Sequence, residues 1–194
     1  MEDLGMKNNL FWKNKKIFIT GHTGFKGTWL LLSLIEMGAE ILGYSLEADK
    51  DSLYKSVEKK ISNKFTHNVS NILDLESLKA SINNFQPDII IHLAAQALVR
   101  RSYKSPLLTW ETNLMGSLNI LEASKALKNK CSIIMITTDK VYKNNEWVYG
   151  YRENDELGGH DPYSSSKAAC EIAISSWRSS FLTRNKINDS LVSI

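Results

Sequence analysis

Tyr163 and Lys167 stand four residues apart in "DPYSSSK" (Asp161 to Lys167), downstream of "TTDK" (Thr137 to Lys140). On a helix, positions i and i+4 share a face, and Pro162 suits a helix start. The phenol and the ammonium would then point the same way. A cation held beside a phenol favours its phenolate, and a phenolate can take a proton from a substrate hydroxyl. "TTDK" adds a hydroxyl, a carboxylate and an ammonium side by side in Thr138, Asp139 and Lys140, directly after the apolar "SIIMI". Near the N-terminus, "GHTGFKG" spaces Gly21, Gly24 and Gly27 as G-x-x-G-x-x-G. Glycine there lets a turn tighten and lets the backbone approach a pyrophosphate at a helix N-terminus. Each feature has a plainer reading: a surface tyrosine with a solvated lysine, polar residues that stop a strand, a turn that packs a helix. Their order along one chain favours the chemical reading.

That order depends on the elements between them. "KIFIT" (Lys16 to Thr20) is short, β-branched and apolar, as a buried strand should be. "TWLLLSLIEMG" has helical length and ends at Gly38, a natural stop. "EILGYSL" (Glu40 to Leu46) predicts a second strand. The polar stretch from Glu47 to Asn68 predicts a loop with a short helix over Ser52 to Val57. Asp74 can cap a helix whose apolar positions are Leu75, Leu78, Ile82 and Phe85, closed by Pro87. "DIIIHLAAQ" predicts a further strand running into a small-residue turn, with His92 a packed core histidine. Pro106 to about Leu127 carries Leu114, Leu118 and Leu121 at helical spacing. "CSIIMITT" (Cys131 to Thr138) predicts a strand, Asp139 to Asp161 a loop, Tyr163 to about Phe181 a helix, and "SLVSI" (Ser190 to Ile194) one more strand. Strands that are near-continuous apolar runs belong in a parallel sheet covered on both faces. The fold class is α/β, a doubly wound parallel sheet of Rossmann type with ligands at the strand C-terminal ends.

Composition bounds the function. The 194 residues suffice for one domain with a real core, and residues 1–194 are read as a single dinucleotide-binding domain with its core from about residue 15. A net charge of +3, with the basic residues scattered, gives no nucleic-acid footprint. Cys131 and Cys170 lack metal-ligand spacing and fit a reducing compartment. The N-terminal stretch has no apolar signal core, and no apolar run reaches membrane-spanning length. The expectation is a cytoplasmic protein with no nucleic-acid or membrane partner.

The glycine turn, the "LAA" strand end, Asn113 within "ETNLMGSLNILEA", "TTDK" and Tyr-x-x-x-Lys together resemble the extended short-chain dehydrogenase/reductases, over about Lys15 to Ser180. Within that group, "GHTGFKGTWL", "HLAAQALVRRSY" and "TTDKVYKNNEWVYGYRENDELGGHDPYSSSKAACE" look like the CDP-glucose branch of the sugar-nucleotide 4,6-dehydratases. The marker is Lys140, where many dehydratases of the group carry a glutamate.

The resemblance implies NAD as cofactor and a nucleotide-sugar as substrate. It carries to the cofactor Gly21, Thr23, Gly24, Phe25, Lys26 and Gly27 of the turn, then Asn71, Ile72, Leu93, Ala94, Ala95, Gln96 and Thr112, together with Tyr163 and Lys167. It carries to the substrate Gln96, Asn113 and Thr138, and it implies no metal. The implied catalytic set is Thr138, Asp139, Lys140, Tyr163 and Lys167. Tyr163 would remove the C4 hydroxyl proton, Thr138 would hold that hydroxyl, and Lys167 would support the phenolate and contact the ribose. Water would leave across C5–C6, with Asp139 as acid if its surroundings keep it protonated. Lys140 is either a base, which requires it neutral, or a charged group that stabilises the enolate.

Departures from the pattern stand beside it. No acid ends "GYSL" to hold a ribose, so NAD rests on the resemblance. Asn71-Ile72 follows the third strand where Asp-Ile is usual. Relatives are longer, so the expectation is that their C-terminal substrate domain is absent here and that the 194 residues alone bind NAD weakly and dehydrate the nucleotide-sugar poorly or not at all. A homodimer through the helices after the fourth and fifth strands is a further expectation. Alternatives are an epimerase or reductase of the same superfamily and a non-catalytic NAD-binding remnant.

Overall fold

The computed structural model describes residues 10–182 and 191–193. Apolar β-branched runs form the central strands. β1 (Lys16–Thr20), β2 (Glu40–Ser45), β3 (Thr66–Val69), β4 (Ile89–His92), β5 (Ser132–Met135) and β6 (Leu191–Ser193) make one sheet in the order β3-β2-β1-β4-β5-β6. Every pairing is parallel, with Thr20 opposite both Tyr44 and His92. The strand order reverses between β1 and β4, so the crevice for a ligand opens at that pair. The turn after β1 and the "LAA" turn after β4 meet there.

Because side chains alternate along a strand, each face of the sheet has its own core. Ile17, Ile19, Ile41, Ile89 and Ile91 pack with Leu31 and Leu34 of α1 (Phe25–Glu36) and with Tyr54 and Ile61 of α2 (Leu53–Ile61). Phe18, Tyr44, Ile90, Ile133 and Met135 face the other way. They meet Leu78 and Ile82 of α3 (Leu75–Phe85), Ile120 and Leu121 of α6 (Gly116–Ser124), and Cys170 and Ile174 of α7 (Pro162–Trp177). Each fully buried isoleucine or leucine contributes about 1.5–3 kcal/mol relative to an exposed one. The site therefore sits on a rigid sheet.

Local chemistry sets the helix ends. Asp74 accepts from the Ser77 amide and Ser52 from the Lys55 amide, each a side-chain N-cap. Asp161 caps α7 in a reciprocal arrangement with Ser164. Gly38, at φ 76°, closes the α1 end and receives the Asn14 amide on its carbonyl.

Four elements differ from the sequence expectation. The polar stretch before Asn68 holds a longer helix, Leu53–Ile61, and the strand β3. β3 is an edge strand whose residues are mostly exposed, so it has no apolar signal. The helix expected from Pro106 is split into α5 (Pro106–Trp110), a π turn (Glu111–Met115) and α6, preceded by the short α4 (Val99–Lys104). β5 stops at Met135; the Ile136 amide still donates to the His92 carbonyl at 3.0 Å, and both threonines lie beyond the sheet. Ser190 and Ile194 of the last expected strand lie outside the described residues. Among the described residues no helix is long and apolar enough to cross a membrane.

Candidate active site

The glycine turn is shaped by close backbone approach. Gly21 has φ 75°, and a Cβ on it would stand 2.7 Å from the Ala94 nitrogen. Only glycine tolerates both conditions. A Cβ on Gly27 would lie 2.1 Å from the Gly21 carbonyl oxygen, so the start of α1 rests directly on the turn. Gly24 is the N-cap of α1 and no side chain caps that end. The first amides of α1, on Phe25, Lys26 and Gly27, thus head an uncapped helix terminus at the strand-order reversal, a place suited to a phosphate. Phe25 and Lys26 are exposed beside it. Thr23 is bonded to the end of the neighbouring strand. Its hydroxyl is shared with Ser45 at 2.7 Å and with the Leu46 carbonyl at 3.2 Å, so its side chain ties the turn to the end of β2. His22, unremarked in the sequence, is fully buried against Gly43, and its Nε2 meets His67 Nδ1 at 2.7 Å. Burial, reinforced by His67, pushes it down to about 3.

At the end of β4 a buried polar chain links the sheet to the helices. The Ala94 amide donates to the Thr20 hydroxyl at 3.2 Å, and Thr20 meets His92 Nδ1 at 2.7 Å. His92 Nε2 meets the Ser117 hydroxyl at 3.2 Å, and Ser117 donates to the Asn113 carbonyl at 2.7 Å. A neutral His92 protonated on Nε2 satisfies every link. Burial, with the charge of Lys167 nearby, pushes His92 down to about 3. His92 is thus the core histidine the sequence predicted, here as a connector.

Asn113 and Gln96 are bonded to each other. Asn113 was expected against the substrate but is fully buried. Its Oδ1 accepts the Gln96 amide at 2.8 Å, and its Nδ2 donates to the Gln96 carbonyl at 3.2 Å and to Ser166 at 2.9 Å. The π turn rotates it inward, where it clamps the β4 exit to α7. The Gln96 side chain is likewise committed, to both backbone groups of Leu98 and to the Thr109 hydroxyl. Ile72, expected at the adenine, packs against Gly116 in the core, while Asn71 is exposed and folds its Oδ1 onto the Leu73 amide. Leu93 and Ala94 pack partly into the two cores, and Ala95 and Thr112 are half-buried.

α7 carries Tyr163 in its first turn and Lys167 one turn later, both buried. Lys167 Nζ donates to the Ile136 carbonyl at 2.9 Å, fastening the helix to the β5 exit. Burial lowers Lys167 from the ordinary lysine range, and Cys170 and Glu171 act against that shift. The next residue, Thr137, donates to the Glu171 carboxylate. Thr138 caps a short turn (Asp139–Val141) that packs on α7, and its hydroxyl donates to Asp139 Oδ1 at 3.1 Å. The Asp139 and Lys140 side chains are 88% and 57% exposed, paired at 3.7 Å. The structure therefore places Tyr163 and Lys167 on one helix, against which the "TT" exit packs, and leaves Asp139 and Lys140 facing solvent. Glu171 was missed, although it continues the Tyr163–Lys167 stripe by one more turn. Among the described residues no cluster of His, Cys, Asp or Glu could hold a metal.

A doubly wound parallel sheet, a G-x-x-G-x-x-G turn at its reversal and a buried Tyr-x-x-x-Lys helix define the class: an extended short-chain dehydrogenase/reductase. The chain belongs to the GDP-mannose 4,6-dehydratase family, whose model matches residues 18–187. It is 48% identical over 172 residues to CDP-glucose 4,6-dehydratase of Salmonella typhimurium, covering 88% of this chain and 47% of that protein. It is 27% identical over 187 residues to the dTDP-glucose 4,6-dehydratase of the same organism, covering 86% of this chain and 51% of that one. Among solved structures, UDP-glucose 4-epimerase of Thermotoga maritima with UDP-glucose superposes with a TM-score of 0.73 at 26% identity, over 86% of this chain and 52% of that one. The dTDP-glucose 4,6-dehydratase of Bacillus anthracis, in complex with NAD, gives 0.73 at 21% identity over 86% and 51%. The chain spans about half the length of the curated relatives it matches.

Proposed function

We propose that this chain is the cofactor-binding and catalytic part of a CDP-glucose 4,6-dehydratase that converts CDP-glucose to CDP-4-keto-6-deoxyglucose in cytoplasmic deoxysugar synthesis, such as that of lipopolysaccharide O-antigen. The observation that carries this reading is the 48% identity over 172 residues to a CDP-glucose 4,6-dehydratase. That stretch amounts to 88% of the chain, which holds the glycine turn, the "TTDK" exit and the Tyr-Lys helix.

The residues at the sheet reversal fit NAD. The uncapped N-terminus of α1 would receive the pyrophosphate, and the Gly21–Ala94 contact leaves backbone where a bulky side chain would obstruct it. Ser45, bonded to Thr23, stands at the β2 end where an acid would otherwise hold the ribose. When bound, NAD accepts a hydride from C4 of the hexose and returns it to C6. Tyr163 takes the C4 hydroxyl proton, Thr138 orients that hydroxyl, and the buried ammonium of Lys167 supports the phenolate. The 4-ketone acidifies the C5 proton. Its removal and departure of the C6 hydroxyl with a proton, from Asp139 if the bound sugar keeps that carboxyl protonated, complete the loss of water. Lys140, beside Asp139, serves as the C5 base when neutral or as the enolate's counter-charge. The remaining expectations stand with this reading: one dinucleotide-binding domain, a homodimer through the helices after β4 and β5, and no nucleic-acid or membrane partner.

The test is incubation with NAD and CDP-glucose, read by the alkaline absorbance of a 4-keto-6-deoxy product, alongside an NAD titration. Product from CDP-glucose supports the reading. A 4-epimer as product would establish the epimerase alternative, and saturable NAD binding without any sugar chemistry would establish the non-catalytic one.

A further inference from the structure

α7 presents three functional side chains on one stripe at successive i, i+4 spacing: Tyr163, Lys167 and Glu171. The last two grip neighbouring residues of the β5 exit. Lys167 Nζ holds the Ile136 carbonyl at 2.9 Å, and the Glu171 carboxylate holds the Thr137 hydroxyl. The residue after these two is Thr138, the hydroxyl assigned to the sugar. β5 has ended at Met135, and its last bond to β4 runs from the Ile136 amide to the His92 carbonyl at 3.0 Å, so the ladder does not fix Thr137 and Thr138. We propose that Glu171 is a positioning residue of the active site, which holds Thr137 in register with Lys167 and so sets where Thr138 stands and how the Lys167 ammonium is held.

The charge surroundings agree with this role. Lys167 is 4% exposed, and a buried ammonium is unstable without a compensating acid. Of the ionisable groups around it, Tyr163, Cys170 and Glu171 lie on its own helix and His92 lies on β4. His92 is held neutral by burial and Cys170 is raised by burial, so Glu171 is the carboxylate acting on Lys167. The same carboxylate acts on Tyr142, where the strand exit turns into the loop. Glu171 thus bonds Thr137 directly, while its charge acts on Lys167 and, after that of Glu153, on Tyr142.

This inference rests on the reading of Tyr163 and Lys167 as the catalytic pair, but its test does not require turnover. The Lys167 side chain is followed by NMR of the whole chain with isotope-labelled lysine, its signal assigned by loss in Lys167→Arg. Glu171→Gln keeps the shape and an acceptor for Thr137 while removing the charge. Its Lys167 titration is expected to fall by about one pH unit relative to the parent, whereas Glu171→Asp, which keeps the charge, stays nearer the parent. Glu171→Ala removes the acceptor as well, and amide exchange over residues 136–141 should rise about tenfold or more, which Glu171→Gln should not reproduce. If Glu171→Gln fails to fold, Glu171→Met removes the charge with a helix-forming side chain and carries the same expectation. A Lys167 titration unchanged in a folded charge-removing variant overturns the proposal. A parent that fails to bind NAD while Lys167 still responds to Glu171 would instead remove the functional reading and leave the positioning contact intact.

Discussion

Replacing Gly27 by alanine tests whether the glycine turn is built as described. The added methyl would stand 2.1 Å from the Gly21 carbonyl oxygen, 2.8 Å from His22 Cα and 2.9 Å from the Gly21 carbonyl carbon. All three are backbone atoms, so no rotamer change relieves the overlap. Non-bonded heavy atoms rest at roughly 3.5 Å, so α1 would have to retreat by about 1 Å or more. Overpacking of this kind costs about 3 kcal/mol, a large part of the roughly 5–15 kcal/mol available to a domain. With a urea slope of about 2 kcal/mol/M, the unfolding midpoint should drop by about 1.5 M. Gly24→Ala is the internal control. Its methyl lies 3.3 Å from the same oxygen and its φ is −75°, so it should cost under about 1 kcal/mol. Urea unfolding followed by circular dichroism measures both. Equal midpoints for the two variants would refute the claim that α1 rests directly on the Gly21 carbonyl.

Tyr163→Phe keeps the ring and removes the proton acceptor. Turnover of CDP-glucose should fall by roughly 10²–10⁴-fold while NAD affinity changes by no more than a few-fold, and unchanged turnover would exclude Tyr163 as base. Asn113→Ala strips the buried Gln96 amide of its acceptor and should cost about 2–3 kcal/mol in urea unfolding; a change below about 0.5 kcal/mol would refute its role as a clamp of the β4 exit. His92 and His22 are held near 3 by burial, below the free value of 6.5, so on acidification the unfolded chain takes up protons that the native state refuses. Their stabilising contribution is therefore whole above pH 6.5 and lost progressively toward pH 3, about 2 kcal/mol for each between pH 7 and 5. Urea midpoints independent of pH across that interval would contradict their burial as neutral imidazoles.

The central strands were legible because β1, β2, β4 and β5 are apolar runs with no competing pattern, and Asp74 and Gly38 mark their helix ends by cap chemistry. β3 was hidden because "THNV" at a sheet edge buries almost nothing and therefore needs no apolar residues. The break between α5 and α6 was hidden because Leu114, Leu118 and Leu121 keep helical spacing through the π turn. At the site, the Tyr163–Lys167 stripe and the close approach of the glycine turn to "LAA" follow from spacing and from strand order. The inward rotation of Asn113, the closed Gln96 loop and the grip of Glu171 on Thr137 are tertiary outcomes. A polar residue next to a catalytic motif reads the same in sequence whether it meets a ligand or a neighbouring backbone amide.

Internal hydride return with loss of water is the chemistry proposed for Tyr163 and its neighbours. CDP-glucose deuterated at C4 follows that hydride when it is incubated with the protein and NAD and the product is analysed by NMR. The expected product is CDP-4-keto-6-deoxyglucose with deuterium at C6, with no net formation of NADH. Deuterium restored to C4 of an intact hexose, or a 4-keto-6-deoxy product without deuterium at C6, would contradict it.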